Sequence, residues 1–460
     1  MSKKNNKSKK KVANFETLEQ LNLNAAGIDI GSEEIWVSIP SNRDDAPVRC
    51  FESFTPCLHE LASWLVSCRI DTVAMESTGV YWIPLYDILE KAGIEVYLVN
   101  AHHVKNVPGR KSDIEDCQWL QQLHTYGLLR RSLVPEKTIR KIRDLDRHRS
   151  TLNKYRSAHI QHMQKAMHIM NIQLDNVISD ITGKTGMKII RSIIKGERDP
   201  KKLATYRDRR CKNDASVIEK SLQGNYEEEY IFQLKQAVEL FDYYTQKMTE
   251  CDHEMEKYYQ ALPTLVDPDE KPMPPAKKDS HSKNTPDYDL RSHLYRITGV
   301  DLTQIPGMNV LTVQNALTET GADMNRFPTE KHLTSWLRLA PNQKKSGGKV
   351  LSSRTLKTKN RANLAFRQAA QSLHHSKSAL GAYYRRMHAR LGAPKAITAT
   401  AHKLARIYYH MLKEQKEYVD LGQDYYIEKN KQREIKKLHK KALKLGFYIT
   451  PYEESSLQTP

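Results

Sequence analysis

Four acidic side chains in the first third of the chain sit where a carboxylate needs a partner. Asp29 lies inside the apolar stretch AAGIDIGSEEIWVSIP, residues 25–40. A carboxylate in a strand core is costly to bury unless it is paired, hydrogen-bonded or bound to a cation. Glu76 ends another short apolar run, DTVAMES. Asp113 and Asp116 are three residues apart, so they share one face of a helix's first turn. Four carboxylates converging on one point raise one another's pKa. Two Mg²⁺ ions about 3.5–4 Å apart would neutralise them and activate a nucleophile against a phosphodiester. Each acid also has a plainer reading: Asp113 as a first-turn acid favoured by the helix dipole, Glu76 as a polar strand end.

A nucleophile is available much later in the chain. In LAPNQKKSGGKVLSSR, residues 339–354, Ser346 precedes Gly347-Gly348 in a loop flanked by Lys344, Lys345 and Lys349. Glycine permits close backbone approach, and the lysines suit a phosphate. A serine there can attack phosphorus if a base or metal activates it. By composition alone the segment is a plain flexible loop. Lys105, Arg110 and Lys111 run into the Asp113/Asp116 pair and suit phosphate contacts. The adjacent His102 and His103 read as polar loop residues rather than ligands. TQIPGMNVLTVQNALTE, residues 303–319, resembles half of a helix-hairpin-helix: Pro306-Gly307 turns into a helix N-terminus whose amides can bind phosphate, though such turns are common.

The elements that must position the acids are alternating. Residues 25–40 read as two strands joined at Gly31-Ser32, and 48–54 as a third. A helix over 58–68, a strand over 71–77, a helix over 80–92 and a strand over 95–100 follow. Ser112 caps a helix over 113–129 with acids in its first turn. This order predicts an antiparallel meander continued by right-handed parallel crossovers, the order of a ribonuclease-H-like mixed sheet, which flavodoxin-like sheets partly share. Residues 138–175, rich in Arg, Lys, His and Gln, and 226–262 are long helical runs with apolar residues at three-four spacing, expected to form a coiled-coil arm. The expected organisation is a basic disordered arm over 1–23, an α/β domain over 24–135, the helical arm over 136–262, a Pro-rich flexible linker over 263–290, a mainly helical domain over 291–422 and a basic tail over 423–460.

At 460 residues the chain has room for two or three domains. Lys and Arg exceed Asp and Glu by 73 to 54, and the sequence pI is about 9.4, which favours a polyanionic partner, nucleic acid first, over a basic protein without a specific one. The expected location is the cytoplasm, at the nucleoid: no run of 18 apolar residues could span a membrane, and the N-terminus lacks a secretory apolar core. The six cysteines show no zinc-type spacing, which suits reduced thiols.

Together these stretches resemble the DEDD transposases of the insertion-sequence-110 type, bacterial recombinases guided by a structured bridge RNA. GIDIG with Asp29, AMESTGVYWIPLYDIL with Glu76, and VKNVPGRKSDIEDCQWL with Asp113 and Asp116 are similar to their RuvC-like domain. IPGMNVLTVQNALTETG, WLRLAPNQKKSGGK, RANLAFRQAAQSL and GAPKAITATAHKLARIYYHML are similar to their C-terminal transposase domain, with Ser346 at the family's nucleophilic serine. Where relatives often carry Lys-Thr-Gly-Asn, this chain has Lys357-Thr358-Lys359-Asn360; its linker and basic C-terminal extension are also longer. The resemblance implies Mg²⁺ held by the four acids, a phosphoserine link from Ser346 to DNA, strand exchange between the element and its target, a guide RNA, and a homodimer or homotetramer in which acids and serine come from different protomers. The alternatives are a RuvC-like Holliday-junction nuclease using metal-activated water, and a nucleic-acid-binding scaffold whose acids are structural.

Overall fold

The computed structural model describes residues 18–77, 79–100, 112–277 and 283–450. The chain divides into two compact units, Met1–Val134 and Pro135–Pro460. The N-terminal unit is built as the alternation predicts: β1 Ala25–Ile30, β2 Glu34–Ser38, β3 Val48–Glu52, α1 Thr55–Ser67, β4 Thr72–Glu76, α2 Trp82–Lys91, β5 Glu95–Val99 and α3 Asp113–Thr125. The sheet order is β3-β2-β1-β4-β5; β1 and β2, and β2 and β3, pair antiparallel, whereas β1–β4 and β4–β5 are parallel. This mixed sheet fits a ribonuclease-H-like fold.

The strands' period of two separates the faces chemically. Ala26, Ile28 and Ile30 of β1, Ile35 and Val37 of β2, Val73 and Met75 of β4 and Val96 and Leu98 of β5 share one core with Leu58, Leu61 and Leu65 of α1 and Leu85 and Leu89 of α2. Of the intervening positions, Gly27, Asp29, Ser38, Thr72, Ala74 and Glu76 are small or polar, and they make room for α3 on that face, beside the larger Trp36 and Tyr97. Gly27 shows how close that packing is: a Cβ there would sit 2.1 Å from the Cys117 carbonyl oxygen and 2.2 Å from the Gln121 amide. Ser38 donates to Gln121 at 3.0 Å, and the buried His124 bonds Thr72 at 2.9 Å with its ring 4.6 Å from Tyr97. Burial holds His124 down to about 4, so at neutral pH it is an uncharged anchor.

The second unit is mainly helical. Two helices of 33 residues, α4 Lys137–Ile169 and α9 Glu228–Gln260, pack along each other, each about 50 Å long. Between them are α5 Leu174–Val177, α6 Lys184–Ile194, α7 Pro200–Ala204 and α8 Ala215–Ser221. These short helices share a core, including Ile189, Ile190, Ile193 and Leu222, with Met163 and Met167 of α4 and Leu234 and Val238 of α9. The other helices are α10 Leu290–Thr298, α11 Val310–Thr320, α12 Glu330–Trp336, α13 Arg361–Ser372, α14 Ala379–Leu391, α15 Ala393–Glu414 and α16 Gly422–Lys444. A two-stranded hairpin, β6 Lys344–Ser346 with β7 Lys349–Ser352, interrupts them.

Charge joins the long helices to this bundle. Arg147 of α4 forks onto Glu319 of α11 at 2.7 and 2.9 Å, and the buried Arg149 pairs with Asp252 of α9 at 2.5 and 2.8 Å. Bidentate guanidinium–carboxylate geometry fixes orientation as well as attraction. The described parts of the Pro-rich stretch before α10 hold no helix or strand and are bonded to their surroundings: Tyr295 donates to the Lys271 carbonyl at 3.2 Å, Arg291 to that of Pro274 at 2.6 Å, and Arg149 to that of Asn284 at 2.9 Å. Among the described residues no helix is long and apolar enough to cross a membrane.

Candidate active site

Asp29 falls two residues after Gly27 on β1, so it points to the same face, under the N-terminal turn of α3. That turn starts where the sequence places it: Ser112 is extended, and its hydroxyl accepts the Glu115 amide at 3.3 Å. Asp113 and Asp116 therefore lie on the turn preceding the Cys117–Gln121 contact with Gly27. Glu76 reaches the same edge through the sheet. Ile28 pairs with Met75 in the parallel β1–β4 ladder, and one further step sets Glu76 beside Asp29 on the α3 face. The carboxyl ends of two parallel strands and the N-terminus of one helix thus gather the acids at one edge of the sheet.

Electrostatics register that gathering. Asp29 is half-buried and pushed up to about 6, first by burial and then by the charges of Asp116, Asp113 and Glu76; the Ile30 amide works the other way. The Cys117 thiol is pushed up to about 12 by burial and by Asp29, so it is inert packing rather than a nucleophile. Among the described residues no three His, Cys, Asp or Glu side chains stand close enough to hold a metal as placed. The donor chemistry nevertheless fits a hard divalent cation: carboxylate oxygens from several elements, already repelling one another, with no imidazole or thiolate among the four.

Ser346 lies in the other unit. It ends β6, opposite Lys349, and is exposed with Lys344, Lys345 and Lys349. Gly347 and Gly348 have φ of 54° and 76°. Two consecutive left-handed residues form the tight turn whose twist matches a hairpin, so the expected Gly-rich loop is an ordered β-turn between paired strands. The Lys357-Thr358-Lys359-Asn360 departure is accommodated without glycine: the Thr358 hydroxyl takes the Asn360 amide at 3.0 Å, and Asn360 caps α13 through the Asn363 amide at 3.1 Å. Gly307 is needed for a different reason; at φ 85°, a Cβ there would meet the Ala369 carbonyl at 2.5 Å. Asn309 then caps α11, accepting the Thr312 amide at 2.9 Å. Lys105, Arg110 and Lys111, with His102 and His103, lie outside the described residues.

Sequence reasoning alone misses the supports. Gly27 looks like part of a strand motif, His124 like one histidine among 18, and Arg147, Arg149 and Asp252 like solvated charge. The alternation of large apolar with small or polar residues in β1 and β4 is the available signal for the α3 face. For the buried pairs the sequence carries no local signal, since each partner lies more than 100 residues away.

Comparison with known families joins the two halves. Residues 26–172 match the model of the IS110 DEDD transposases, described as a transposase, and residues 301–385 match that of the transposase IS116/IS110/IS902 family. The four acids fall within the first match and Ser346 within the second. No curated protein matches the chain. A DEDD transposase domain implies use of a divalent metal, and a transposase implies DNA as its partner. The chain belongs to the IS110-type transposases and is a DNA transposase/recombinase enzyme.

Proposed function

We propose that this enzyme is an RNA-guided recombinase that cuts and rejoins the DNA of its insertion sequence and target through a covalent phosphoserine. The observation that carries the reading is the gathering of Asp29, Glu76, Asp113 and Asp116 at one sheet edge, in a chain that also presents Ser346 between lysines. The four carboxylates would hold Mg²⁺, in one or two ions, which supplies Lewis-acid stabilisation of charge on the scissile phosphate. Lys344, Lys345 and Lys349 draw the phosphate towards the hairpin. The Ser346 oxygen then forms a bond to phosphorus as the bond to one deoxyribose oxygen breaks; that oxygen leaves as a hydroxyl, taking up a proton from solvent in balance with the one the serine gives to it. Attack by the hydroxyl of a second strand reverses the step and returns the serine free. Acids and serine from different protomers of a dimer or tetramer account for two motifs more than 200 residues apart. Pairing with a guide RNA, with the protein reading shape, would set the target.

The test uses nicked suicide DNA carrying the element's own ends, with the RNA transcribed from its flank. A denaturant-stable protein–DNA adduct is expected with wild type and Mg²⁺, and none with Ser346→Ala. Cleavage without an adduct would instead identify a junction nuclease using water. Equal activity without the RNA would remove the guide from the reading.

A further inference from the structure

Positive charge converges where α14, α15 and α16 meet. The half-buried Lys403 of α15 stands 4.6 Å from the centre of the Tyr383 ring and 5.6 Å from that of Tyr426. Arg386 of α14 lies 5.8 Å from the same Tyr426 ring and donates to its hydroxyl at 2.9 Å. Lys403 is held below the usual lysine range, first by burial and then by Arg433, Arg386, Arg406 and Lys429. Arg406 faces Glu330 at 3.4 Å, and Glu434 is taken up by Lys437 at 2.9 Å. Gathering cations in this way is unfavourable in the free protein, and an arriving anion relieves it.

Helix α16 carries the charge outward. From residue 429 to 444 it has eight Lys and Arg against one Glu, and none of its side chains is buried. Lys429, Arg433, Lys436, Lys440 and Lys444 recur every three or four residues, so they share one face. Tyr426, three residues before Lys429, starts that face against Arg386. The stripe is therefore continuous with the Lys403 cluster, and over about 22 Å it matches roughly six base-pair steps of a duplex. The opposite face shows the exposed Ile427, Ile435 and Leu438.

We propose that Lys403, Arg386 and the basic face of α16 form a track for the phosphodiester backbone of duplex DNA, in addition to the residues that perform the chemistry. The occupant follows from charge complementarity in an enzyme that acts on DNA, and the inference rests on that reading. Because the contacts are to phosphate, the track grips without reading sequence.

The test is fluorescence anisotropy of the full-length protein on a labelled DNA duplex and on a labelled RNA hairpin, titrated over a range of NaCl. The exposed variant combines Lys429→Gln, Lys436→Gln, Lys440→Gln and Lys444→Gln; Lys403→Met probes the junction. Each lost phosphate contact lowers the slope of log K against log salt by about 0.9 on a DNA duplex. The quadruple variant is therefore expected to flatten it by about 3 to 4 and to weaken binding by about 10³- to 10⁴-fold near 0.1 M salt, alike for unrelated sequences. Loss on the duplex supports the track, and loss confined to the hairpin would overturn it in favour of an RNA contact. Unchanged slopes on both would overturn the proposal, as would unchanged slopes with a change only in sedimentation mass, which would make α16 a contact between copies. The Ser346 adduct, measured separately at low salt and saturating protein, fails or succeeds independently.

Discussion

The acidic edge of the sheet and the Ser346 hairpin, partners in the proposed reaction, are built in opposite ways. Every acid stands at the end of an element that a core holds in place. Asp29 and Glu76 are fixed by strand register, and the two aspartates by a capped helix pressed onto Gly27. The hairpin has two short strands paired with each other, with Val350 and Leu351 54% and 69% exposed. An isolated two-stranded ribbon is marginal in water. The backbone that carries the acids is thus fixed in advance, as electrostatic catalysis requires. The proposed nucleophile sits on an exposed element with little support of its own, and this suits a serine delivered to a site on another copy.

The largest effects should appear in activity. Asp29→Ala and Ser346→Ala are each expected to lower recombination by a factor of about 10³ or more. Mixing the two variant proteins should restore part of it. No recovery at any ratio would place acids and serine in the same subunit. Next comes Gly27→Ala, which forces a methyl against backbone atoms of α3 and is expected to cost about 3 kcal/mol. Denaturant unfolding of the full chain checks this; a midpoint within error of wild type would mean that α3 is free to move away, and the acidic edge would not be preorganised.

Much of this contrast is legible in the sequence. Strand and helix order, the Ser112 cap and the four acids follow from periodicity and residue type, because the N-terminal unit is assembled from neighbouring segments obeying the strand and helix periods. The hairpin is harder. Gly-Gly between lysines fits a flexible linker as well as a left-handed turn, and only the pairing of Ser346 with Lys349 decides between them. Arg149 and Asp252 are unreadable for another reason: charge on a long polar helix looks solvated until a partner far along the chain buries it. The Pro-rich stretch before α10 is similar, since composition reports its lack of regular structure and says nothing of the carbonyls it offers to Tyr295 and Arg291.

A smaller effect tests the electrostatic half of the contrast. Asp29 is pushed up to about 6 in the folded chain, above the usual carboxylate range. The folded state therefore holds a proton that the unfolded state has released, and stability is lost as pH rises from about 4 through about 6. The Asp29→Asn side chain cannot ionise and escapes that loss. In metal-free buffer at pH 8, Asp29→Asn should be more stable than wild type by about 1 kcal/mol, allowing for solvent screening at a half-exposed site, and the gain should vanish near pH 4. Added Mg²⁺ should raise the wild-type melting temperature more than the variant's. A variant no more stable than wild type at pH 8 would show that the four acids do not repel one another.

The smallest effect tests the other half. Gly348 has a φ of 76° with open space where a Cβ would go, so alanine there meets no neighbour and bears only the strain of the left-handed backbone, about 1 kcal/mol. If the hairpin stands apart from the core, that strain shifts only its own opening equilibrium. Trypsin cleavage at Lys344, Lys345 and Lys349 should then quicken about five-fold in the free protein, while the global unfolding midpoint stays put. Bound DNA should slow cleavage in wild type and variant alike, because it supplies the surface the ribbon lacks. A midpoint that falls by the full strain energy would make the hairpin part of the cooperative core, and the serine would then be as preorganised as the acids.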